Sequence, residues 1–327
     1  MKIAFAGFRH AHIFSLYDRI VKNPEWELVA ICEESPAESL LVDRPDIKLT
    51  HADFDQLLSE VNCEVIAIGD YYSKRGDMVY KALQTGKHVI ADKPLCTSLA
   101  QLDEIADLAK TTGLKIGCMY EMRACKCFAI LRELVAAGTL GEIKQIQFCG
   151  QHPLNIKQRP HWYFEAGKHG GTINDIAGHA IDIIPWITGV GFKRIVAART
   201  WKSLVDQQSF MNDSAQFMLE MTNNCGVIGD VSYQGVDSFG FDLPAYWRFN
   251  FWGNKGMAEC SRCGSSVTLY ENGKNEPQIL NHAFAESVDY LECFKRDIAG
   301  IPTDLDTSMV LAVNRFTLKI QEFADRQ

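Results

Sequence analysis

Residues 1–33 read MKIAFAGFRHAHIFSLYDRIVKNPEWELVAICE, and they are the most informative about the fold of the N-terminal part of the chain. An apolar strand over Lys2–Gly7 ends at a glycine, and a helical pattern follows over Ala11–Lys22. A second apolar strand, Leu28–Cys32, leads to the carboxylate of Glu33. A strand, a glycine turn, a helix and a second strand followed by an acidic residue are typical of the first unit of a dinucleotide-binding sheet.

The same alternation of short apolar strands and amphipathic helices continues to about residue 120, which predicts a parallel sheet with crossover helices. Further strands are predicted at Val65–Gly69, His88–Asp92 and Leu114–Met119, and further helices at Asp53–Glu60, Asp77–Thr85 and Ser98–Thr111. We therefore expect the α/β fold class, with an N-terminal Rossmann domain over residues 1–121 that contains a doubly wound parallel sheet.

Residues 122–327 have a different character, because strand-like segments outnumber the helices. Strands are predicted at Ile143–Gly150, 193–202, 213–222, 225–234, 246–252 and 265–270, and helices at Cys125–Ala137, Ala177–Ile187, 285–299 and 305–325. Hairpin-type turns such as Asn272-Gly273 separate some of the strands. We expect a C-terminal α+β domain with a large, open-faced and mostly antiparallel sheet.

Composition excludes several classes of protein. Hydrophobic residues make up 47% of the 327 residues and charged residues 23%, as in ordinary globular proteins, and the net charge is −8. We expect no nucleic-acid partner, which needs a basic surface, and no membrane span, which needs about 18 consecutive apolar residues. Eleven cysteines and an N-terminus unlike a signal peptide indicate a reduced, cytoplasmic location. No metal site is predicted, because the CxxC pair of Cys260 and Cys263 lacks the second pair that a zinc site requires.

The glycine turn departs from the usual dinucleotide-binding pattern. Only the first glycine of G-x-G-x-x-G is present, as Gly7, and Arg9 and His12 occupy the other two glycine positions. Glu33 follows the second strand, where a carboxylate binds the ribose hydroxyls and repels a 2′-phosphate, so NAD is favoured over NADP. The candidate cofactor contacts in this region are Gly7, Phe8, Arg9, His10 and Glu33. A strand–helix turn without a ligand, with Glu33 as a solvated loop residue, is the alternative.

Two later segments carry a more specific signal. The first is Asp92-Lys93-Pro94 at the end of the fourth predicted strand, and the second is the run from Gly170 to Asp182, which contains Asp175-x-x-x-His179-x-x-Asp182. Together they resemble the glucose–fructose oxidoreductase/inositol dehydrogenase/rhizopine catabolism (Gfo/Idh/MocA) family, and the resemblance extends over nearly the whole chain. It implies a Rossmann domain and an open-faced sheet domain, an NAD(P) cofactor, and hydride transfer at a carbinol carbon of a sugar or cyclic polyol.

The resemblance also implies catalytic roles. Lys93 stands where the family has the lysine at the nicotinamide and substrate, and Asp175 and His179 stand where it has the pair that contacts the reacting hydroxyl. The four-residue spacing predicts that Asp175 and His179 share one face of a helix. Oxidation of an alcohol needs a base, and an imidazole suits that role at neutral pH. The alternatives are a surface lysine before a proline turn, and half of a metal site at Asp175 and His179.

Further site residues follow from the same resemblance. It implies cofactor contacts at Gly69, Tyr72, Asp92, Lys93 and Glu121, and substrate contacts at Lys93, Arg123, Trp162, Asp175 and His179. Several positions depart from the family pattern: Asp92 replaces Glu, Asp70-Tyr71-Tyr72 replaces Thr-Pro-Asn, Arg75 replaces a common His, and Glu121 replaces Asn. These departures indicate a divergent subgroup, so the substrate is not inherited from any named member.

Three functions fit these observations. The favoured one is an NAD-dependent dehydrogenase or reductase of a small carbohydrate. The alternatives are a glycosidase or lyase that oxidises its substrate transiently and returns the hydride, and a non-catalytic dinucleotide-binding regulator. The polar and aromatic stretch His152–His169 is expected either to cover the substrate or to be a solvated loop. Besides the substrate, the expected partners are further copies of the chain, in a homodimer or homotetramer through the C-terminal sheet, whose large face needs covering.

Overall fold

The computed structural model describes residues 1–262, 264–281 and 288–327. The chain forms two units, the first with Met1–Met119, Pro160–Gly170 and Tyr290–Arg315, and the second with Tyr120–Arg159, Gly171–Asp289 and Phe316–Gln327. The domain boundary between residues 121 and 122 stays a prediction, and two later stretches of the chain pack in the first unit. Cys263 of the CxxC pair and the start of the helix predicted over 285–299 lie outside the described residues.

The sheet of the first unit is parallel throughout. Its strands are β1 (Lys2–Ala6), β2 (Glu27–Cys32), β3 (Val65–Ile68), β4 (His88–Ala91) and β5 (Ile116–Cys118), in the spatial order β2-β1-β3-β4-β5. The strand order reverses at β1, with β2 on one side and β3 on the other, as in a doubly wound sheet. The predicted Rossmann architecture is confirmed. In such sheets ligands bind outside the carboxyl ends of the strands at the point of reversal.

Four helices connect these strands: α1 (His12–Ile20), α2 (Phe54–Glu60), α3 (Tyr72–Gln84) and α4 (Leu99–Thr112). Helix α4 forms as its sequence predicts, because the Ser98 hydroxyl accepts a hydrogen bond from the Gln101 N–H at 3.1 Å. Helix α3 begins at Tyr72, five residues before the predicted start at Asp77. Its first turn therefore lies just after β3 and carries Tyr72 and Arg75 at the carboxyl edge of the sheet.

The second unit contains an eight-stranded sheet. Its strands are β6 (Ile143–Pro153), β7 (Phe192–Trp201), β8 (Ser214–Met221), β9 (Gly226–Gly235), β10 (Arg248–Gly253), β11 (Gly256–Ser261), β12 (Val267–Glu271) and β13 (Gln278–Leu280), in the spatial order β13-β12-β11-β10-β6-β9-β8-β7. Of the described strand pairs, β6–β9 is parallel and the others are antiparallel. The predicted large and mostly antiparallel sheet is confirmed, although β11 and β13 were not predicted.

The later helices are α5 (Lys126–Ala136), α6 (Gly178–Thr188), α7 (Tyr290–Ile298) and α8 (Thr307–Asp325). A π-helical turn, Ile173–Ala177, comes directly before α6 and was not predicted. Within the ranges that the structure describes, no helix combines the length and the apolarity needed to cross a lipid bilayer.

One face of the eight-stranded sheet is covered and the other is open. In β8, Phe217 and Leu219 are buried, whereas Met218 between them is 47% exposed. Met218 pairs directly with Ile228 of β9, which is 40% exposed, so the two apolar side chains lie side by side on the open face.

Candidate nucleotide and substrate sites

The turn after β1 requires a glycine at position 7. Gly7 has φ +79°, and a Cβ atom built on it would lie 2.7 Å from the Cβ and N atoms of Asp70. No larger side chain fits this close approach of two strand ends. The turn is fixed to its neighbours, because the Gly7 N–H donates to the Cys32 carbonyl at 3.1 Å and the His10 N–H donates to the Gly69 carbonyl at 3.3 Å. Gly7, His10 and Gly69, all predicted cofactor contacts, therefore lie together where the sheet reverses.

Glu33 follows β2 and is hydrogen-bonded to the turn. Its carboxylate accepts from the Phe8 N–H at 2.7 Å and from the Ser35 N–H at 2.9 Å. Burial raises the pKa of Glu33, while the backbone donors of Ser35 and Phe8 and the charge of Arg9 act in the opposite direction. With 1% of its surface exposed, Glu33 is not the solvated loop residue of the alternative interpretation.

Arg9 holds a positive charge at the same turn. Its Nε atom lies 3.5 Å from a carboxylate oxygen of Asp70 and 3.9 Å from one of Glu33. Its Nη1 atom lies 3.3 Å from a carboxylate oxygen of Glu38, and its guanidinium lies 5.3 Å from the centroid of the Tyr71 ring. The side chain is 7% exposed. A cation fixed by three carboxylates thus stands at the second glycine position of the pattern.

These features fit a dinucleotide. Helix α1 begins at His12, and none of the described side chains caps its N-terminus, since Ala11 is the N-cap residue. Free N–H groups at a helix N-terminus attract a phosphate. A close glycine turn, an uncapped helix and the Glu33 carboxylate after β2 are the groups that a pyrophosphate and a ribose require. The side chain of His12 in place of the third glycine remains a departure.

Asp92, directly after β4, is the centre of a buried polar cluster. Its carboxylate is 2.9 Å from Arg75 Nη2 and 3.2 Å from His12 Nδ1, and it also contacts His10 Nδ1. Burial disfavours the charged form of Asp92, but the positive charge of Arg75 and the hydrogen bond with His10 hold its pKa well below its usual value. Burial lowers the pKa of His10 to about 3, so this ring is neutral near pH 7. The cluster is therefore a buried Asp92–Arg75 ion pair with a neutral imidazole on the carboxylate.

His10, His12 and Asp92 also meet one criterion for a metal site, because one potential ligand atom from each lies within 4.8 Å of the others. Sequence spacing does not indicate this grouping, since Asp92 is 82 residues from His10. The Arg75 guanidinium already neutralises the carboxylate, and a divalent ion would add charge beside this buried cation. The hydrogen-bonded ion pair is the better description of the cluster.

Lys93 follows Asp92 and is buried, with 3% of its surface exposed. Arg75 Nη1 donates to the Lys93 carbonyl at 2.5 Å and to the Pro94 carbonyl at 3.2 Å, which fixes the main chain at this position. The Lys93 ammonium lies 6.0 Å from the centroid of the Tyr72 ring. The alternative of a surface lysine before a proline turn is therefore wrong.

The segment Pro160–Gly170 packs in the first unit. The indole N–H of Trp162 donates to the Arg9 carbonyl at 3.0 Å. The hydroxyl groups of Tyr163 and Tyr72 are hydrogen-bonded at 2.8 Å. Trp162 thus contacts the turn after β1, and its contact with substrate stays a prediction.

In the second unit, Asp175 and His179 belong to different types of helix. Asp175 lies in the π-helical turn Ile173–Ala177, and His179 lies in the first turn of α6. The helical segment predicted here is thus a π-helical turn that continues directly into α6, and the sharing of one helix face by the two side chains stays a prediction. Single π-helical turns are frequent at functional sites. Both side chains are buried, with 3% of Asp175 and 5% of His179 exposed.

Aromatic residues surround these two side chains. Tyr233 of β9 donates its hydroxyl to the Asp175 carboxylate. The rings of Trp247 and Tyr120 lie 5.8 Å and 6.0 Å from the His179 ring, both edge-on. Sequence reasoning did not select Tyr233 or Trp247. Their residue type could have indicated them, since a tyrosine or tryptophan in a strand-rich segment is usually buried with its polar atom hydrogen-bonded to a partner.

Glu121 and Arg123, in the 3₁₀-helical turn Glu121–Ala124, have charged partners in the second unit. Arg123 forms a buried ion pair with Asp182 of α6, with Nη2 2.6 Å from Oδ1 and Nε 3.0 Å from Oδ2. Burial raises the pKa of Asp182, and Arg123 opposes this shift. Glu121 pairs with Arg262 at 2.6 Å. The contacts of Glu121 with cofactor and of Arg123 with substrate stay predictions.

Comparison with known protein families gives two matches. Residues 1–120 match the family model described as an oxidoreductase family with an NAD-binding Rossmann fold, and residues 128–259 match the GFO/IDH/MocA C-terminal domain. The chain belongs to the GFO/IDH/MocA oxidoreductase family. The first of its two family domains is therefore of the NAD-binding Rossmann type.

Curated relatives of this family member are distant. It is 23% identical over 297 residues to inositol 2-dehydrogenase of Salmonella paratyphi B, which covers 86% of this chain and 81% of the relative. It is 24% identical over 221 residues to D-xylose dehydrogenase of Paenarthrobacter nicotinovorans, covering 60% and 56%. The match to the uncharacterized oxidoreductase YdgJ of Escherichia coli is 27% identical over 182 residues and covers 56% and 52%. The chain thus spans about half the length of YdgJ, and less of two other uncharacterized oxidoreductases, at 39% and 46%.

Solved structures share the fold over the whole chain. A putative oxidoreductase from Thermotoga maritima has a TM-score of 0.85 at 21% identity and covers 99% of this chain and 98% of its own. An inositol dehydrogenase homolog from Azotobacter vinelandii complexed with NAD+ has a TM-score of 0.79 at 16% identity, covering 100% and 95%. A super-repressor mutant of Gal80p from Saccharomyces cerevisiae has a TM-score of 0.76 at 16% identity, covering 100% and 96%. At these identities the likeness shows the fold alone.

Proposed function

We propose that this chain is an NAD-dependent dehydrogenase or reductase that moves a hydride to or from a carbinol carbon of a sugar, a cyclic polyol or a related small carbohydrate. The observation that carries the proposal is the Tyr233–Asp175 hydrogen bond, because it fixes the buried carboxylate of Asp175. The buried imidazole of His179 follows four residues later in the sequence. Membership of an oxidoreductase family supports it, and relatives named as inositol and xylose dehydrogenases support a polyhydroxylated substrate.

NAD, when bound, supplies the hydride acceptor or donor. We assign its pyrophosphate to the turn from Gly7 to His10 and to the N-terminus of α1. The carboxylate of Glu33 is assigned to the ribose hydroxyls. A carboxylate at this position repels a 2′-phosphate, which favours NAD over NADP.

The chain's own groups handle the proton of the reacting hydroxyl. His179 is assigned the role of base, because an imidazole takes up protons near neutral pH. Asp175, fixed by Tyr233, is assigned to a neighbouring substrate hydroxyl or to the orientation of the His179 ring. The Lys93 ammonium is assigned a hydrogen bond to the reacting oxygen, where a positive charge stabilises a developing alkoxide.

The test is turnover with NAD on a panel of polyols, aldoses and sugar acids, followed as absorbance at 340 nm. Lys93→Met and His179→Gln are expected to lower kcat/KM by roughly 10²-fold or more, because each removes a group at the reacting oxygen. Binding of NADH, measured by fluorescence, is expected to stay close to that of the wild type. Lys110→Met, which replaces an exposed lysine of α4, is the matched control. Full turnover by Lys93→Met would rule out the assigned role of this lysine.

A non-catalytic dinucleotide-binding regulator is the second candidate. It is favoured by the Arg9 and His12 side chains at two glycine positions of the turn, and the Gal80p structure has a similar fold. This candidate predicts that NAD raises the melting temperature of the protein while no compound of the panel is oxidised or reduced. Turnover that depends on His179 would exclude it.

A further inference from the structure

Lys93 is held from two directions within the first unit. Arg75 donates to the Lys93 carbonyl and so fixes the main chain. The Lys93 ammonium lies 6.0 Å and the Arg75 guanidinium 4.7 Å from the centroid of the same ring, that of Tyr72. An aromatic ring face attracts a cation within about 6 Å, and more strongly where water is excluded. Tyr72 is fully buried, with 0% of its surface exposed.

The hydroxyl of Tyr72 fixes the orientation of this ring. It is 3.2 Å from Nε2 of His10 and 2.8 Å from the hydroxyl of Tyr163. The neutral His10 ring directs Nδ1 at the Asp92 carboxylate, so this nitrogen carries the proton and Nε2 is the acceptor. Tyr72 therefore donates to His10, and Tyr163 donates to Tyr72. A carboxylate that orients an imidazole, which in turn fixes a hydroxyl, follows the logic of a catalytic triad.

The members of this network come from four separate segments of the first unit. They are His10 from the turn after β1, Tyr72 and Arg75 from α3, Asp92 from the end of β4, and Tyr163 from Pro160–Gly170. Tyr72, Arg75 and Asp92 are three of the positions at which the sequence departs from the family pattern. Their mutual contacts indicate that these three residues belong to a single network next to Lys93.

We propose that Tyr72 is a positioning residue for Lys93: the Asp92–His10 pair orients the Tyr72 ring, and the ring face holds the Lys93 side chain in place. The importance of this contact for turnover rests on the proposed function, but the contact itself is measurable without turnover.

The test measures how fast the Lys93 amine reacts with an amine-specific reagent at pH 9, relative to the exposed Lys110 of the same sample, with both labelled peptides measured by mass spectrometry. Taking the ratio of the two rates removes differences in reagent concentration and in pH. In Tyr72→Met the ring no longer holds the ammonium against its face, so the Lys93 to Lys110 ratio is expected to rise roughly 3- to 10-fold. Tyr72→Phe keeps the ring but lacks the hydroxyl that fixes its orientation, and this variant is expected to give a smaller rise in the labelling ratio. Tyr71→Met, whose ring faces Arg9 and Lys168, is the control with an unchanged ratio.

An unchanged ratio in Tyr72→Met would overturn the proposal. If that variant does not fold, phenylalanine and trifluorophenylalanine at position 72 provide the same comparison at nearly constant volume, because fluorine weakens the negative ring face. The proposal then requires a higher ratio for the fluorinated ring, and equal ratios overturn it. One equivalent of tightly bound zinc in the purified protein, lost in His12→Ala, would also overturn it, since the cluster would then be a metal site.

Turnover of the wild type, measured separately, distinguishes the two proposals. A ring-dependent labelling ratio without turnover on any compound of the panel supports the positioning role and counts against the dehydrogenase. Turnover with a ring-independent ratio supports the dehydrogenase and overturns the positioning role.

Discussion

His10, Tyr72, Arg75 and Asp92 show that the chemical meaning of a residue depends on the residues it contacts. Taken singly, Tyr72, Arg75 and Asp92 depart from the family pattern, and His10 is one of the predicted cofactor contacts. In the fold, the Arg75–Asp92 ion pair, the His10 ring and the Tyr72 hydroxyl satisfy one another in a buried network. Buried polar groups are stable when all of them have partners, so a change at any one of the four is expected to affect the others.

The buried neutral ring of His10 makes the stability of the protein depend on pH. Its pKa is lowered from the ordinary 6.5 to about 3, and the groups that face it are Asp92, His12, Arg75 and the hydroxyl of Tyr72. Between these two pH values the unfolded chain binds a proton at His10 that the folded chain does not bind. The free energy of unfolding is therefore expected to fall as pH falls from about 6.5 towards 3, by up to about 1.4 kcal/mol per pH unit from this group.

Urea unfolding of the wild type and of His10→Gln at several values of pH between 4 and 7 isolates this contribution, because other titrating groups are common to both proteins. The wild type is expected to lose more stability than the variant as the pH falls. Parallel pH profiles of the two proteins would show that His10 is not held neutral.

At the scale of the element, α3 and the π-helical turn before α6 control which side chains reach the two sites. Because α3 begins at Tyr72 rather than at the predicted Asp77, Tyr72 and Arg75 lie near the carboxyl ends of the strands. The π-helical turn Ile173–Ala177 carries Asp175 to the hydroxyl of Tyr233 on β9. Strand β11, Gly256–Ser261, was missed because its residues GMAECS include no β-branched side chain. Its pairing with β10 and β12 makes it a strand.

Tyr233→Phe tests the link between β9 and the π-helical turn. It removes the hydroxyl that donates to the buried Asp175 carboxylate, and a hydrogen bond to a charged group contributes about 1.5–3 kcal/mol. We expect kcat/KM to fall roughly 10-fold or more, with little change in NADH binding, because the Gly7–His10 turn that we assign to the cofactor belongs to the first unit. Tyr270→Phe, at an exposed tyrosine of β12, is the control. A variant with wild-type kcat/KM would show that this hydrogen bond does not support turnover.

At the scale of the whole molecule, the open face of the eight-stranded sheet bears apolar side chains. The directly paired Met218 and Ile228 lie on this face, and three further exposed apolar side chains lie elsewhere on the strands of the sheet: Val196, Tyr270 and Ile279. An exposed apolar patch on a sheet usually marks an interface. The predicted homodimer or homotetramer through this sheet is consistent with the patch and stays a prediction.

Met218→Glu tests the predicted assembly. A charge beside Ile228 on the open face would be buried in an interface without a partner, which is costly, so the variant is expected to shift towards monomer. Light scattering coupled to size-exclusion chromatography gives the mass of each species. Lys144→Glu, at an exposed lysine of β6, is the control for added negative charge. A wild type that is monomeric at all concentrations would contradict the prediction of an oligomer.

Features that depend on local periodicity, or on single residues with restricted conformations, could be predicted from the amino-acid sequence alone. These are the alternating strands and helices of the Rossmann sheet, the glycine at the end of β1, the Ser98 cap of α4 and the two family segments around Lys93 and Asp175. Which of the remaining polar residues contact one another depends on the fold. His10 contacts Asp92 across 82 residues of chain, and Trp162 donates to Arg9 across 153. Such contacts depend on strand order, on where a helix begins and on which sheet a loop packs against, and no short stretch of sequence contains that information.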